Sequence, residues 1–444
     1  MKKLFFTIIA TFLPMMASAY DAQIGEFYYN FNSTDHTAVV VNNGSMFAYK
    51  GFLKIPSEVT YNNEEYSVTS IGNQAFQDQG DLKSISIPSS VTVIGDHAFY
   101  GCSGLYSVTI PNSVTSIGGS AFYGCSKLSS VTISENVVWV GGNVFEGTPF
   151  YNNLPDGLIY IGKCAYKYKG TMPANTSITL KEGTTQICYK AFENCSNLVS
   201  ITIPESVTEI QNAFSGTSLT SITIPDDVTL LGGFSGCTKL ISITIPNKVK
   251  YIGWEFFNNC RNLISVTIGS GVTSIGNDVF MGCNKLSSIY CLAVDVPSAT
   301  ESSFNYQYSG ITLYVPAESA NKYQTTAPWS NFNIEAIDGE IPEIQQCATP
   351  TISFIDGKLH FECETEGVEF VYSTPKPQIV SNENGTSLSP CTVSVYAKKQ
   401  GFIDSVTTTA TIFASGMQGD VNCDGEVNVA DHVTLSDIIL NKTE

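Results

Sequence analysis

Charge is scarce in this chain. Asp, Glu, Lys and Arg make up 14% of its 444 residues, well below the roughly 25% of an ordinary soluble protein. The little charge present leans acidic, 40 carboxylates against 22 Lys and Arg for a net of −18. That balance argues against nucleic acid and anionic lipid as partners, since both are polyanions. Histidine is rarer still: His36, His97, His360 and His432 are the only four, and they are dispersed. The Cys and His residues do not form the two close pairs that a zinc site requires. A Gly-x-Ser-x-Gly elbow, a His-Glu-x-x-His helix and a phosphate-binding loop are all missing, so the common hydrolytic and nucleotide-dependent signatures are absent. Beyond the first twenty residues, no apolar run approaches the ~20 residues needed to cross a bilayer.

What fills the space left by charge is Ser, Thr, Asn, Gly and Tyr. Together with 43% hydrophobic residues, this composition supplies a sizeable core and the materials of short strands and tight turns. Length alone suggests about three domains. The N-terminus reads as an export signal: Lys2 and Lys3 give the positive start, Leu4 to Leu13 the apolar stretch, and Ala17-Ser18-Ala19 the small residues of a cleavage site. The mature chain is expected to start at Tyr20. No Cys follows the cleavage site, so a lipoprotein anchor is not indicated.

One phrase dominates the rest. Ser90 to Pro111 repeats with little drift from Ser113 to Ile133, an offset of 23 residues, and the pattern recurs from Val68, Val207, Val228, Val249 and Val272. Its strand portion reads Leu-x-x-(Ile/Val)-x-(Ile/Val), as at Leu82/Ile85/Ile87, Leu105/Val108/Ile110, Leu128/Val131/Ile133 and Leu198/Ile201/Ile203. The series continues at Leu219/Ile222/Ile224, Leu240/Ile243/Ile245, Leu263/Val266/Ile268 and the degenerate Leu286/Ile289/Cys291. Apolar residues two apart share one face of a strand, with the residue between them on the other. Each unit turns at Pro88, Pro111, Pro204, Pro225, Pro246 or Gly269 and continues through Val-Thr-x-Ile-Gly into an Ala-Phe-x-Gly-Cys turn, expected to be helical or 3₁₀. One coil cannot bury its apolar side, but a stack buries a continuous column. Phe76, Phe99, Phe122, Phe145, Phe192, Phe214, Phe234, Phe257 and Phe280 form the predicted spine. Coils near Phe214 and Phe234 are 21 residues long, so local curvature should change there.

These residues resemble the BspA-like family of leucine-rich repeats (the LRR_5 type), found in surface proteins of Bacteroidetes and some protists. The resemblance spans roughly residues 45 to 337. It implies a β-rich solenoid and adhesion to host matrix proteins or other bacteria. The organisation expected is a signal segment at 1–19, an N-terminal cap and first coil at 20–67, and a solenoid at 68–340. Within the solenoid, an expanded coil is expected at 148–176 and a cap at 311–340, the latter carrying Tyr323 and Trp329.

Thirteen Cys in an exported chain invite a disulfide reading. Six of them, however, share one repeat position: Cys102, Cys125, Cys195, Cys237, Cys260 and Cys283. Ladder side chains point in parallel, whereas a disulfide needs convergent Cβ vectors. A buried thiol ladder is therefore the expectation, and Thr148, Thr217 and Gln79 in the same slot show that sulfur is not obligatory.

After Glu340 the pattern changes to alternating strands around Asp356-Gly357 and Asn384-Gly385 turns. Residues 341–414 read as a small β-sandwich, similar to immunoglobulin-like modules of Bacteroidetes surface proteins and to chitobiase C-termini. A bridge of Cys363 with Cys347 or Cys391 is open there. At 415–444 comes the sharpest chemical motif. Asp420, Asn422 and Asp424 stand at positions one, three and five of a calcium loop, with Gly425 at the sharp bend. The Glu426 carbonyl stands at seven, Asn428 at nine and Asp431 at twelve. With the helix bearing Leu435, Ile438 and Ile439, this resembles one half of a type I dockerin, with a single repeat where dockerins carry two. A degenerate docking tag for a cohesin-like partner and a calcium-stabilised terminus are both open. Asp404-Ser405-Val406 is similar to the Asp-Ser/Thr-aliphatic sequence glycosylated in exported Bacteroidetes proteins.

The function expected is an exported or cell-surface binding or adhesion scaffold, without catalysis, recognising a protein or glycan through the solenoid. Its outward Ser/Thr pairs (Ser84/Ser86, Ser107/Thr109, Ser130/Thr132 and their successors) suit either a solvated sheet or a ligand face. Tyr106, Tyr123 and Tyr290 are candidate aromatic contacts, with packing the expected role of any one of them. The alternatives are a non-catalytic subunit of a polysaccharide-degrading assembly, docked through its tail, and a carbohydrate-active enzyme. The enzyme would need two carboxylates across a cleft, whereas the acids of the repeats (Asp96, Glu135, Glu205, Asp226, Asp227, Asp278) fall in turns.

Overall fold

A computed structural model describes residues 20–42, 44, 49–305 and 308–337. It also describes the strands of a second unit within 350–412. The signal segment, Asp404-Ser405-Val406, Cys347 and the loop at 420–431 lie outside the described residues. The chain divides into two compact units, 1–339 and 340–444.

In the first unit the 23-residue offset becomes a strand register. Ser84, Ile85 and Ser86 pair in parallel with Ser107, Val108 and Thr109, which pair in turn with Ser130, Val131 and Thr132. Equivalent residues thus stack directly over one another at the strand spacing of about 4.8 Å. A second parallel ladder runs through Val93–Ile94, Ser116–Ile117 and Trp139–Val140, built by the Val-Thr-x-Ile stretch. Leu82, Ile85, Val91, Ile94, Phe99 and their counterparts are buried between the ladders.

Glycine after Ile117 in this second stretch is a steric requirement. A Cβ on Gly118 would lie 2.3 Å from the Asp96 nitrogen and 2.4 Å from the Gly95 carbonyl carbon of the preceding coil. The backbones of successive coils touch there.

The Ala-Phe-x-Gly-Cys segment is neither α-helical nor 3₁₀, contrary to expectation. His97 and Gly101 have φ of 55° and 68°, and Ser120 and Gly124 repeat this at 53° and 70°. A helix requires an unbroken right-handed run, and a left-handed residue every fourth position breaks it. The gain is inter-coil bonding: the amides of His97, Phe99 and Gly101 donate to the carbonyls of Gly119, Ala121 and Tyr123 at 2.7–2.9 Å. The amides of Ala98 and Tyr100 close turns within their own coil, onto the Gly95 and His97 carbonyls. The segment is a stack of turns cross-linked like a sheet.

The phenylalanine spine forms as expected. Phe76, Phe99 and Phe122 stack with ring centroids 5.0 Å apart and planes 5° from parallel. Phe122–Phe145, Phe192–Phe214, Phe214–Phe234 and Phe257–Phe280 continue the series. One member escaped the repeat pattern: Phe304 stacks on Phe280 at 5.9 Å from a short 3₁₀ turn, Glu301–Phe304. Each stacked pair contributes about 0.5–1.5 kcal/mol beyond its area burial.

Two irregularities interrupt the stack. At residues 149–169 a short helix, Pro149–Asn152, is capped by the Thr148 hydroxyl, and a hairpin of Gly157–Ile161 and Cys164–Lys169 follows. The second hairpin strand enters the second ladder beside Gln186–Ile187, and hydrogen bonds run on from Val137 through Lys163 to Thr185. The apolar core divides into two clusters at this point. The other irregularity falls on the 21-residue coils. Leu219 and Ile224 are buried, yet 219–224 joins no strand, and the first ladder resumes only at Ser242–Ile245. A shortened coil has too little chain to hold strand and turn in register together.

Antiparallel strands Phe27–Asn32 and Thr37–Val41 precede the stack, the latter pairing in parallel with Glu64–Ile71. At the far end, Thr312–Pro316 and Asn333–Ile337 extend the first ladder. Tyr323 and Trp329 are buried against the last coils, with the Trp329 indole donating to the Pro297 carbonyl at 2.8 Å. The second unit contains antiparallel pairs: Thr351–Ile355 with Lys358–Glu362, Cys391–Lys398 with Glu369–Ser373 and Thr408–Ile412, and Ile379–Asn382 with Gly385–Leu388.

Candidate functional site

The Leu-x-x-Ile-x-Ile grammar turns two or three side chains per coil outward, and stacking lines them into columns. One column begins at Phe52 and passes through Ser84, Ser107 and Ser130. A second begins at Lys54 and passes through Ser86, Thr109 and Thr132. Lys83 and Tyr106 lie beside the first column, in the position after the buried Leu. These columns border a shallow concavity of about 500 Å³, lined by Phe52, Lys54, Ser84, Ser86, Ser107 and Thr109 among others. Backbone amides and carbonyls of Leu82–Ser86 and Ser107–Thr109 are committed to the ladder on both sides, so there the hydroxyls and terminal side chains supply the surface chemistry.

The face is not uniform along the stack. Ser107, Thr109, Ser130 and Thr132 are exposed, whereas Ser265, at the equivalent repeat position in the sheet that begins at Ser242, is 6% exposed. Tyr290 and Tyr314 occupy the column beyond Thr267 and stack on each other at 4.6 Å. Tyr290 is therefore a packed residue, as expected for any one of these tyrosines, and not a ligand contact. Burial also raises its phenol pKa. Tyr123 stacks on Tyr100 at 5.3 Å in the turn region, away from the strands. Tyr106 is the strand-face aromatic of the three, 47% exposed, with the ammonium groups of Lys83 and Lys127 5.8 and 5.6 Å from its ring centre.

Phe52 is 83% exposed, the most open large apolar side chain among the described residues. Sequence reasoning passed over it because Gly51-Phe52-Leu53-Lys54 lacks the Leu-x-x-Ile signature. The signal available was the alternation of Leu53 and Ile55, which places Phe52 and Lys54 outward.

The other candidate chemistry, the Cys column, faces inward. Cys102, Cys125, Cys237, Cys260 and Cys283 are buried free thiols, and Cys195 is a partly exposed one. The buried five donate to the carbonyl of the spine Phe one coil earlier: Cys102 to Phe76, Cys125 to Phe99, Cys237 to Phe214, Cys260 to Phe234 and Cys283 to Phe257, at 2.9–3.1 Å. Desolvation pushes the Cys283 thiol up to about 12 and moves Cys237 and Cys260 in the same direction. Thiols held protonated in this way do not serve as nucleophiles or metal ligands. Among the described residues no group of three His, Cys, Asp or Glu is placed to hold a metal ion. Asp420, Asn422, Asp424, Glu426, Asn428 and Asp431 lie outside those residues. So does Cys347 of the possible bridge, and the side chain of Cys391 is likewise not described. No described helix is long and apolar enough to cross a membrane.

A family model described as BspA type leucine rich repeat region matches residues 52–173 and 160–287. No curated protein matches the chain. Among solved structures, it is similar to a leucine rich cell surface protein from Faecalibacterium prausnitzii, at 24% identity over 73% of this chain and 96% of that one, with a TM-score of 0.32. A leucine-rich repeat protein from Bacteroides ovatus shares 27% identity over 67% of this chain and 76% of that one, with a TM-score of 0.30. The pneumococcal vaccine antigen PcpA shares 19% identity over 72% and 98%, with a TM-score of 0.38.

Proposed function

Because the chain belongs to the BspA type leucine-rich-repeat family, we propose that it is an exported or cell-surface binding scaffold. Its ligand is a protein or glycan that rests on the strand face of the first coils, and no bond is made or broken there. The observation that carries this reading is the row of exposed hydroxyls from Ser107 to Thr132, headed by an exposed Phe52. Parallel ladders satisfy the backbone internally, so an open row of hydroxyls at one end gives a rigid surface with its hydrogen-bonding capacity unspent. Binding on such a surface orders few side chains, because Ser, Thr and Phe have few rotamers to lose.

The tail carries the second element of the proposal. Asp420, Asn422, Asp424 and Asp431, with the Glu426 carbonyl and Asn428, form a donor set made of oxygens alone, the preference of Ca²⁺. Calcium there would either stabilise the terminus or dock the chain to a cohesin-like partner within a polysaccharide-degrading assembly. Pull-down from native membranes with and without chelator separates the two roles, since only docking yields a chelator-sensitive partner.

An array of glycans and matrix proteins probed with the full-length mature chain tests the scaffold reading. It requires at least one saturable ligand that is bound and released unchanged. Conversion of the ligand to product would contradict it.

A further inference from the structure

The strand face of the first coils carries a charge opposite to that of the protein. The chain as a whole has a net charge of −18. Yet the charged side chains of the face at the coils of Phe52, Ser84 and Ser107 are Lys54 and Lys83, with Lys127 at its edge. None of the three has an acidic partner within ion-pair distance among the described residues, whereas Lys50, Lys167, Lys190, Lys248 and Lys322 each have one. Asp81, in the turn just before Leu82, is paired with Lys50 at 4.0 Å. Three unpaired ammonium groups in an acidic protein hold a local positive potential that invites an anion.

Two aromatic rings complete the face. Phe52 presents a ring that is 83% exposed, and Tyr106 lies between the ammonium groups of Lys83 and Lys127. Between the rings stand Ser84, Ser86, Ser107 and Thr109, each a donor and an acceptor, at the spacing of about 4.8 Å set by the ladder. Resting on the scaffold reading, we propose that this face binds an acidic polysaccharide, one bearing uronate or sulfate groups. The sugar C–H faces stack on Phe52, the ring hydroxyls meet the Ser/Thr columns, and the acid groups meet Lys54, Lys83 and Lys127. An acidic peptide satisfies the lysines equally but has poorer use for the rest. Peptides gain affinity from strand addition at a free sheet edge, and the strands of Ser84, Ser86, Ser107 and Thr109, which carry the hydroxyls, are already paired on both sides, Gly51–Lys54 being an outer strand.

The full-length mature chain, run in native gels containing hyaluronan, chondroitin sulfate, dextran or poly-L-glutamate, tests the proposal. Retardation by hyaluronan or chondroitin sulfate is expected, falling as salt is added because exposed charges are screened. Phe52→Ala and the triple variant K54Q/K83Q/K127Q are each expected to weaken it by about tenfold, with unchanged circular dichroism because these side chains lie on the surface. Equal retardation by dextran, undiminished binding by the triple variant, or equal retardation by poly-L-glutamate overturns the assignment. If neither acidic polysaccharide retards the chain while a protein ligand from the array is lost in Phe52→Ala, the glycan class is wrong and the scaffold reading stands.

Discussion

The Cys125 thiol donates to the carbonyl of Phe99 at 3.1 Å, reaching back to the coil before its own. The same carbonyl accepts the Cys102 amide at 3.2 Å. The column of sulfurs is thereby tied to the column of rings, and the coils of Cys102, Cys125, Cys237, Cys260 and Cys283 are each fastened to their predecessor through the interior. An internal seam of thiols is consistent with an exported protein because these sulfurs are buried, protonated and aimed at carbonyls.

Native protein treated with iodoacetamide should leave Cys102, Cys125, Cys237, Cys260 and Cys283 unmodified, with the partly exposed Cys195 reacting first. Non-reducing mass spectrometry should find no linked ladder peptides. Cys125→Ala removes a hydrogen bond and a buried sulfur, for a loss of about 1–3 kcal/mol by denaturant titration. Linked ladder peptides from untreated protein would contradict the seam.

Alkaline stability follows from the same residues. Burial lifts the Cys283 thiol to about 12 in the folded chain, from an ordinary value of 9.0. The folded state therefore keeps its proton over a range where the unfolded state has lost it. The stabilisation is full below pH 9 and is lost as pH rises from about 9 towards 12. Melting temperature should fall across that window, and Cys283→Ala should flatten part of the fall.

Gly118→Ala is expected to be far more damaging than a surface Gly→Ala change. The added methyl meets backbone atoms at 2.3 and 2.4 Å, and backbone in a close-packed stack has little room to retreat. A loss of roughly 1–3 kcal/mol should appear in thermal melts. Gly25→Ala, whose Cβ meets nothing within 4 Å, carries only the backbone cost of its positive φ and serves as the comparison.

Calorimetry on the full-length chain should detect one calcium site, abolished by Asp424→Ala and retained in Phe52→Ala. Absence of calcium binding to the unaltered chain would remove the tail from the account.

Features imposed at every 23rd residue were legible in the sequence, because each repetition restates the same demand. The strands of Leu82/Ile85, the Phe spine and the inward thiols were read in this way. The shape of the turn was not, since Ala-Phe-x-Gly-Cys has acceptable helical composition and only inter-coil hydrogen bonding favours left-handed His97 and Gly101. Phe304 went unread because it fills the spine position from Glu301–Phe304 without the surrounding phrase. Which of the three tyrosines would pack was not legible, because the outward position of Tyr290 is a property of the strand, whereas its burial depends on Tyr314 in the next strand. Phe52 and Lys54 were missed for the opposite reason: they act in the columns without carrying the repeat. What distinguishes the binding face lies where the repeat begins, and a periodic pattern is least informative at its ends.

The most direct test of the account places one charge on either ladder of the same stack. Thr109 is exposed on the strand face and Thr115 is exposed beside the second ladder, six residues later in the chain. Thr109→Glu should abolish binding of whichever array ligand the unaltered chain retains, and Thr115→Glu should leave it unchanged, with both variants melting as the parent does. Loss of binding in Thr115→Glu with retention in Thr109→Glu would place the ligand on the other face and contradict the account.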